Sequence, residues 1–316
     1  MVCINVMDFQ DVSLVGLRVF REVAERGTLT AAAAALGYTQ SAVSRQIAAL
    51  ERSARTPLLE RRRDGVRLTS AGRIVLRRAV TITAEVDATA RELTGLPAET
   101  GAVRLGAYAS AGAVLVPRVL AAFRRTHPGI KVTTREAGTP VLVRALRAGN
   151  LDLALLAAEP PFRPPDTETP PLHLEILAER SLCVAVPATH PLAGRDFIEF
   201  ADLSGQRWIG SRPAGDDRSM GVWPGLAGRP EIVHVARDWL AKLNLVAAGC
   251  GVTTVPVSLA GAAPAGVRIL PVRGGPQEKR RIMLARMPHQ PTESAMRLAE
   301  ALRSAVVETS SPVSAT

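Results

Sequence analysis

The chain has 316 residues, 47% of them hydrophobic and 22% charged, which is long enough for two or three domains and excludes a disordered chain or a low-complexity polymer. Its 39 basic residues outnumber the 29 acidic ones for a net charge of +10, and only Lys131, Lys242 and Lys279 are lysines, so a polyanion is a partner to look for. Residues 2–7 are too short an apolar stretch, too closely followed by Asp8 and Asp11, for a signal peptide, and no apolar run reaches the roughly 18 residues of a membrane helix.

We therefore expect a cytoplasmic protein with no membrane partner. Cys3, Cys183 and Cys250 form no CxxC pair and the histidines no HExxH, so no metal and no cofactor are expected and the cysteines read as reduced core thiols.

Leu14, Leu17, Phe20, Val23 and Ala24 recur at helical spacing and stop at Gly27, predicting a first amphipathic helix. Thr30 is placed to cap a second helix over 31–36, where Ala33 and Ala34 leave room for a crossing helix and Gly37 ends the run. Thr39 caps a third. There Val43, Ile47 and Leu50 take the core face, leaving Gln40, Ser41, Ser44 and Arg45 on the opposite side.

Two short helices across a glycine turn make a helix-turn-helix pattern, with an ordinary helical hairpin as the plain alternative. The exposed side chains favour DNA, because an arginine fork and a glutamine amide suit base edges and phosphates. Residues 41–80 hold ten arginines against Glu51, Glu60 and Asp64, which concentrates the basic excess as a nucleic-acid footprint does. Strands over 58–61 and 66–69, joined through Arg62, Arg63, Asp64 and Gly65, read as a basic hairpin or wing. Its Arg61, Arg62 and Arg63 then lie beside the DNA backbone or minor groove.

Ser70 is placed to cap a long helix in which Val75, Ala79, Ile82, Val86, Ala90 and Leu93 form a narrow stripe. That stripe suits a dimer seam, with packing on the chain's own N-terminal domain as the alternative.

The stretches TLTAAAAALGYTQSAVSRQIAALE and PLLERRRDGVRLTSAG resemble the N-terminal domain of LysR-type transcriptional regulators over residues 14 to about 93. The resemblance implies DNA contacts at Thr39, Gln40, Ser41, Ser44 and Arg45, and a wing at Arg61, Arg62 and Arg63. Ser41 stands where proline is common in that family, and Leu59 where phenylalanine is usual. Met7 is an alternative to Met1 as the translation start.

After a punctuated linker at 94–101, strands at 103–107, 130–134 and 151–156 alternate with helices at 114–125 and 140–148, a β-α-β-α-β series and hence a parallel sheet. A proline-rich loop over 160–171 precedes expected strands at 174–178, 182–186, 207–209, 232–236, 252–256, 267–270 and 280–285, with helices at 239–248 and 292–307. Two α/β subdomains with a crossover follow.

The stretches VRLGAYASAGAVLVPRVLAAF, LRAGNLDLALL, VPATHPLAG and LVAAGCGVTTVP resemble that family's effector-binding domain, which is like a periplasmic binding protein. The expected fold class is α/β overall: a winged helix-turn-helix with a long linker helix, then a two-lobed effector-binding domain. The expected domains are a DNA-binding domain at 1–69, a linker helix at 70–93, a hinge at 94–101, the effector domain at 102–308 and a flexible tail at 309–316. Within the effector domain, lobe I is expected over about 102–172 and 271–308, and lobe II over about 173–270.

The resemblance puts an effector carboxylate at Ser110 and Thr139, where free N–H groups at helix starts favour an anion, while simple helix capping explains each residue alone. Arg212 and Arg237, with Lys242 as a further cation and Trp239 as an aromatic wall, are the expected contributions of the second lobe to an anionic small molecule; surface salt bridges explain the same charges. Tyr108, where a small residue is frequent, is expected to narrow the pocket.

The implied partners are double-stranded DNA, a small anionic effector, a second copy of the chain in a dimer or tetramer, and RNA polymerase. An α/β enzyme would need a phosphate loop or a nucleophile elbow, and the sequence has no GxGxxG, GxSxG or GxxxxGK[ST]. A nucleoid-type DNA-binding protein without effector, and a small-molecule binder without regulatory role, remain as alternatives.

Overall fold

The computed structural model describes residues 11–63, 65–93, 101–211, 221–276, 278–288 and 291–308. Helices α1 (Leu14–Arg26), α2 (Leu29–Leu36) and α3 (Gln40–Ala54) open the chain. Each starts on a hydroxyl: Ser13 accepts from the Val15 N–H at 3.2 Å, Thr28 from Ala31 at 3.1 Å and Thr39 from Ala42 at 3.2 Å, satisfying donors with no intrahelical partner. The α2 cap is therefore Thr28, two residues before the expected Thr30, and Thr30 is an exposed residue of the helix. The close-packing alanines are likewise Ala32 and Ala33, with Ala34 exposed. Gly27 and Gly37 end α1 and α2 in the left-handed conformation, as expected.

Strands β1 (Leu59–Arg62) and β2 (Gly65–Leu68) pair antiparallel, with Arg62 opposite Gly65. The hairpin is seated on the end of α1: Val66 N–H donates to the Gly27 carbonyl at 2.7 Å. Gly65 is required there, since its φ is +136° and a Cβ would lie 2.3 Å from the Gly27 oxygen. Helix α4 (Ser70–Leu93) follows. Its cap is Thr69, which accepts from Gly72 N–H at 2.9 Å, while Ser70 is already helical.

Val43, Ile47 and Leu50 of α3 join Phe20, Val23, Leu76 and Ala79 in one N-terminal core. The expected α4 stripe is thereby split. Ala79 is buried and Val75 packs against the chain's own core, whereas Ile74, Ile82 and Val86 stay exposed; the side chain of Leu93 lies outside the described residues. The open stripe is rotated from the expected one because the N-terminal domain takes the first two positions.

The second part holds β3 (Gly101–Ala107), a π turn (Ala111–Leu115) leading into α5 (Val116–Thr126), β4 (Ile130–Glu136), α6 (Thr139–Arg147) and β5 (Leu153–Ala158). Then come β6 (His173–Pro187), β7 (Ile198–Glu199), β8 (Arg207–Gly210), β9 (Glu231–Val235), α7 (Trp239–Ala247), β10 (Thr253–Pro256), β11 (Val267–Arg273), β12 (Lys279–Arg286) and α8 (Glu293–Glu308). The sheet order is β4-β3-β5-β12-β6-β11-β7, with β10 also on β6, and β3 is parallel to both its neighbours as the β-α-β series predicts.

β6 is one strand where two were expected. His173 to Ser181 pair with β12, and Leu182 to Pro187 pair with β10 and β11. The polar break between the two expected strands, Glu179, Arg180 and Ser181, lies opposite Arg281, Arg280 and Lys279, and Glu179 pairs with Lys279 at 3.0 Å and Arg281 at 2.8 Å. Cross-strand charge pairing keeps these residues in the ladder. β6 thus joins the β12 side of the sheet to the β10 and β11 side, and β11 runs to Arg273.

Candidate DNA interface and ligand cleft

Capping by Thr39 points the start of α3 outward, and the core face at Val43, Ile47 and Leu50 fixes its rotation. Thr39, Gln40, Ser41 and Arg45 are exposed together, and Ser44 is half-buried. Thr39 and Ser41 hydroxyls lie 3.0 Å apart. Among the described residues Gln40 and Arg45 carry no internal hydrogen bond or ion pair, so their donors are available to a ligand. Arg61, Arg62 and Arg63 are exposed on the hairpin, and among the described residues only Arg62 has an acidic partner, Glu60 at 3.6 Å. A free cation is the form that phosphate neutralisation needs.

Sequence reasoning missed the residue that ties the hairpin to α3. The Glu51 carboxylate accepts the backbone N–H of Leu58 at 2.8 Å and of Leu59 at 3.1 Å. An acid within a basic surface was the available signal.

A cleft of about 830 Å³ opens between the two sheet regions. Thr139, Glu159, Arg163, Gly221, Thr254 and Arg280 are among its walls. Thr139 lies at the start of α6 with its hydroxyl donating to the Ala157 carbonyl at 3.2 Å. Arg280 is paired with Glu159 at 3.1 Å and also with Glu278, so one cation stands between two carboxylates and the three groups leave one negative charge. Arg163 is exposed and makes no ion pair among the described residues.

The other expected effector residues are placed differently. Ser110 is buried and does not line this cleft; Ala109 and Ser110 are already helical ahead of the π turn, so Ser110 sits within a first turn and makes no capping bond. Arg237 is exposed before α7, whose cap is Asp238, accepting from Ala241 N–H at 2.8 Å. Trp239 is half-buried and also outside the lining. Arg212 lies outside the described residues. Tyr108 does not narrow the cleft: it packs against the core of the β3 sheet, and burial pushes its hydroxyl pKa up.

Lys242 is the unusual group. It is 2% exposed, its ammonium lies 4.9 Å from the centroid of the Trp239 ring, and burial pushes its pKa down to about 8. A Cβ on the cleft residue Gly221 would stand 3.0 Å from that ammonium. No carboxylate among the described residues pairs with it, although buried charges are ordinarily paired. Cys183 is buried with its thiol pushed up to about 11, which is the inert core cysteine expected.

A second cavity, apolar and of about 520 Å³, runs along α4 between Leu14, Leu17, Ala54, Ile74, Arg78 and Ile82.

Residues 14–73 match the family model described as bacterial regulatory helix-turn-helix protein, lysR family, and residues 98–307 match LysR substrate binding domain. The chain is 31% identical over 247 residues to the transcriptional dual regulator GltC of Bacillus subtilis, covering 77% of this chain and 80% of that one. It is 31% identical over 244 residues to the Hca operon transcriptional activator HcaR of Escherichia coli, covering 76% and 80%. Full-length CbnR, solved in complex with its target DNA, superposes with a TM-score of 0.51 at 22% identity, over 93% of this chain and 99% of that one.

Proposed function

Because the chain belongs to the LysR family of DNA-binding transcriptional regulators, we propose that it couples operator binding to a small anionic effector held in the cleft beside Gly221 and Lys242. Thr39, Gln40, Ser41, Ser44 and Arg45 make the major-groove and phosphate contacts, and Arg61, Arg62 and Arg63 the flanking backbone contacts. The exposure of all of these but the half-buried Ser44 supports this assignment.

The observation that supports the anionic reading is the Lys242 ammonium packed behind the cleft residue Gly221, 2% exposed and with no carboxylate partner among the described residues. A carboxylate arriving there gains a fully desolvated partner, which is worth more than a surface cation in water. Thr139, at the start of α6, and Thr254 border the same cleft. Ser110, Arg237 and Trp239 act from behind these walls, by positioning the β3–α5 turn and α7, and Arg212 belongs to the segment that precedes Gly221.

The working protein is a cytoplasmic homo-oligomer, a dimer or tetramer, that acts with RNA polymerase at a promoter and catalyses no reaction. Ile74, Ile82 and Val86 of α4 provide the apolar stripe for a second copy. The domains are a DNA-binding part to residue 69, the linker helix 70–93 and an effector part from β3 at Gly101 to residue 308; the expected hinge lies outside the described residues except for Gly101.

Thermal-shift titration with a panel of mono- and dicarboxylates, aromatic and aliphatic, tests the effector class. Stabilisation of the parent protein by a carboxylate but not by the corresponding amide, with the response lost in Lys242→Met, is expected. Equal responses to acid and amide would overturn the anionic reading.

A further inference from the structure

Helix α6 meets two different parts of the molecule at its two ends. Its first residue, Thr139, borders the cleft. The turn that caps its other end is gripped by Arg21 of α1: the guanidinium donates to Ala148 O at 2.6 Å, to Gly149 O, to Asn150 Oδ1 at 3.1 Å and to the Thr83 hydroxyl of α4. Arg21 is 8% exposed.

The chemistry of the grip is specific. Carbonyls at a helix C-terminus lack intrahelical partners and carry the negative end of the helix dipole, so a guanidinium fork suits them in both charge and geometry. Glu25, one turn along α1 and also buried, accepts from Arg135 of β4 and from Asn150. Gly149 lets the surfaces close: its φ is +67°, and a Cβ there would lie 2.5 Å from a Val80 methyl of α4 and 3.1 Å from the Arg21 guanidinium. Breaking one member of such a buried polar cluster costs far more than the intact cluster contributes, so the contact favours discrete arrangements over gradual slippage.

Nine residues of helix span about 13 Å, and a packed helix moves as a rigid body. We propose that α6 is a strut linking the cleft to the winged helix-turn-helix of the same chain, with the Arg21 grip on Ala148 and Gly149 as the joint through which a ligand at Thr139 shifts α1. This rests on the reading of the cleft as the effector site. A ligand moves the joint only by as much as it prefers one arrangement over the other.

The test loads the cleft end of α6 covalently. Thr139→Cys, in a Cys3→Ser, Cys250→Ser background, is labelled with sulfonatoethyl methanethiosulfonate. The introduced thiolate attacks the reagent's sulfenyl sulfur, forms a disulfide to the sulfonatoethyl group and releases methanesulfinate. Hydrogen exchange of α1 amides is compared before and after labelling, with and without Arg21→Ala, and with Arg21→Lys as a folded comparator that keeps the charge but loses the fork.

A label-induced change in α1 exchange of about fivefold or more is expected in the parent, with none in Arg21→Ala and a reduced change in Arg21→Lys. No change in the parent, or an equal change in the Arg21→Ala protein, overturns the strut. The exchange readout needs no DNA, so failure of the strut is distinguishable from failure of the regulator reading, which would show as an inability to select discrete DNA fragments.

Discussion

The Glu51 carboxylate of α3 accepts the backbone N–H of Leu58 at 2.8 Å, so the helix that carries Arg45 also fixes the start of the hairpin that carries Arg61, Arg62 and Arg63. This side chain, together with the seat of the hairpin on Gly27, holds the two elements in one frame. Glu51→Ala leaves the Leu58 and Leu59 donors without this acceptor and is expected to cost about 1–3 kcal/mol of stability. It should weaken operator binding more than Arg63→Ala does. Chemical denaturation and DNA titration check both statements, and unchanged DNA affinity would mean that the hairpin is held by its seat on Gly27 alone.

Arg45→Ala and Arg63→Ala should fail in different ways. Loss of the fork on α3 is expected to cost about 1–3 kcal/mol for the preferred sequence and to relax discrimination. Loss of the hairpin cation should weaken all sequences nearly equally and reduce the salt slope by about 1. Titrations of selected and scrambled fragments at several salt concentrations separate the two.

Lys242→Met is expected to raise thermal stability while removing the carboxylate response. The buried ammonium has a folded pKa depressed to about 8 from 10.5, so below about pH 8 the fold carries the cost of a buried charge. Stability should rise with pH between about 8 and 10.5, where the unfolded chain still holds the proton that the folded chain has released, by at most about 3 kcal/mol. Carboxylate affinity should fall over the same rise through pH 8. A Lys242→Met protein that is less stable than its parent would place the lysine in a structural pairing instead.

Ile82→Glu puts a charge into the exposed α4 stripe and is expected to weaken self-association at least tenfold, about 1.4 kcal/mol or more, without unfolding the N-terminal domain, because Ile82 is outside its core. Sedimentation velocity across concentrations reads this directly. An unchanged oligomer would move the interface off α4.

The local architecture was legible where the sequence punctuates itself. Gly27, Gly37 and Thr39 mark helix ends by chemistry that has few alternatives, and Val43, Ile47 and Leu50 define one face. The alanine run of α2 has no such period, so its cap and packed alanines were misplaced by one or two residues. Glu179, Arg180 and Ser181 looked like a break because their partners, Lys279, Arg280 and Arg281, lie about a hundred residues away and become neighbours only in the sheet. The same holds for the cleft: Thr139, Gly221, Thr254 and Arg280 come from segments with no shared spacing. The α4 stripe misled for a different reason, since its first apolar positions serve the chain's own core before any partner's.

The proposed selective DNA recognition by the exposed face of α3 and its basic hairpin is checked by sequencing the genomic fragments retained by the purified protein at about 150 mM salt, where non-specific phosphate attraction is much reduced. Enrichment of a few sites with paired half-sites, lost in Arg45→Ala, is the predicted result. Diffuse retention across the genome, unchanged by that substitution, would contradict it and favour a packaging role.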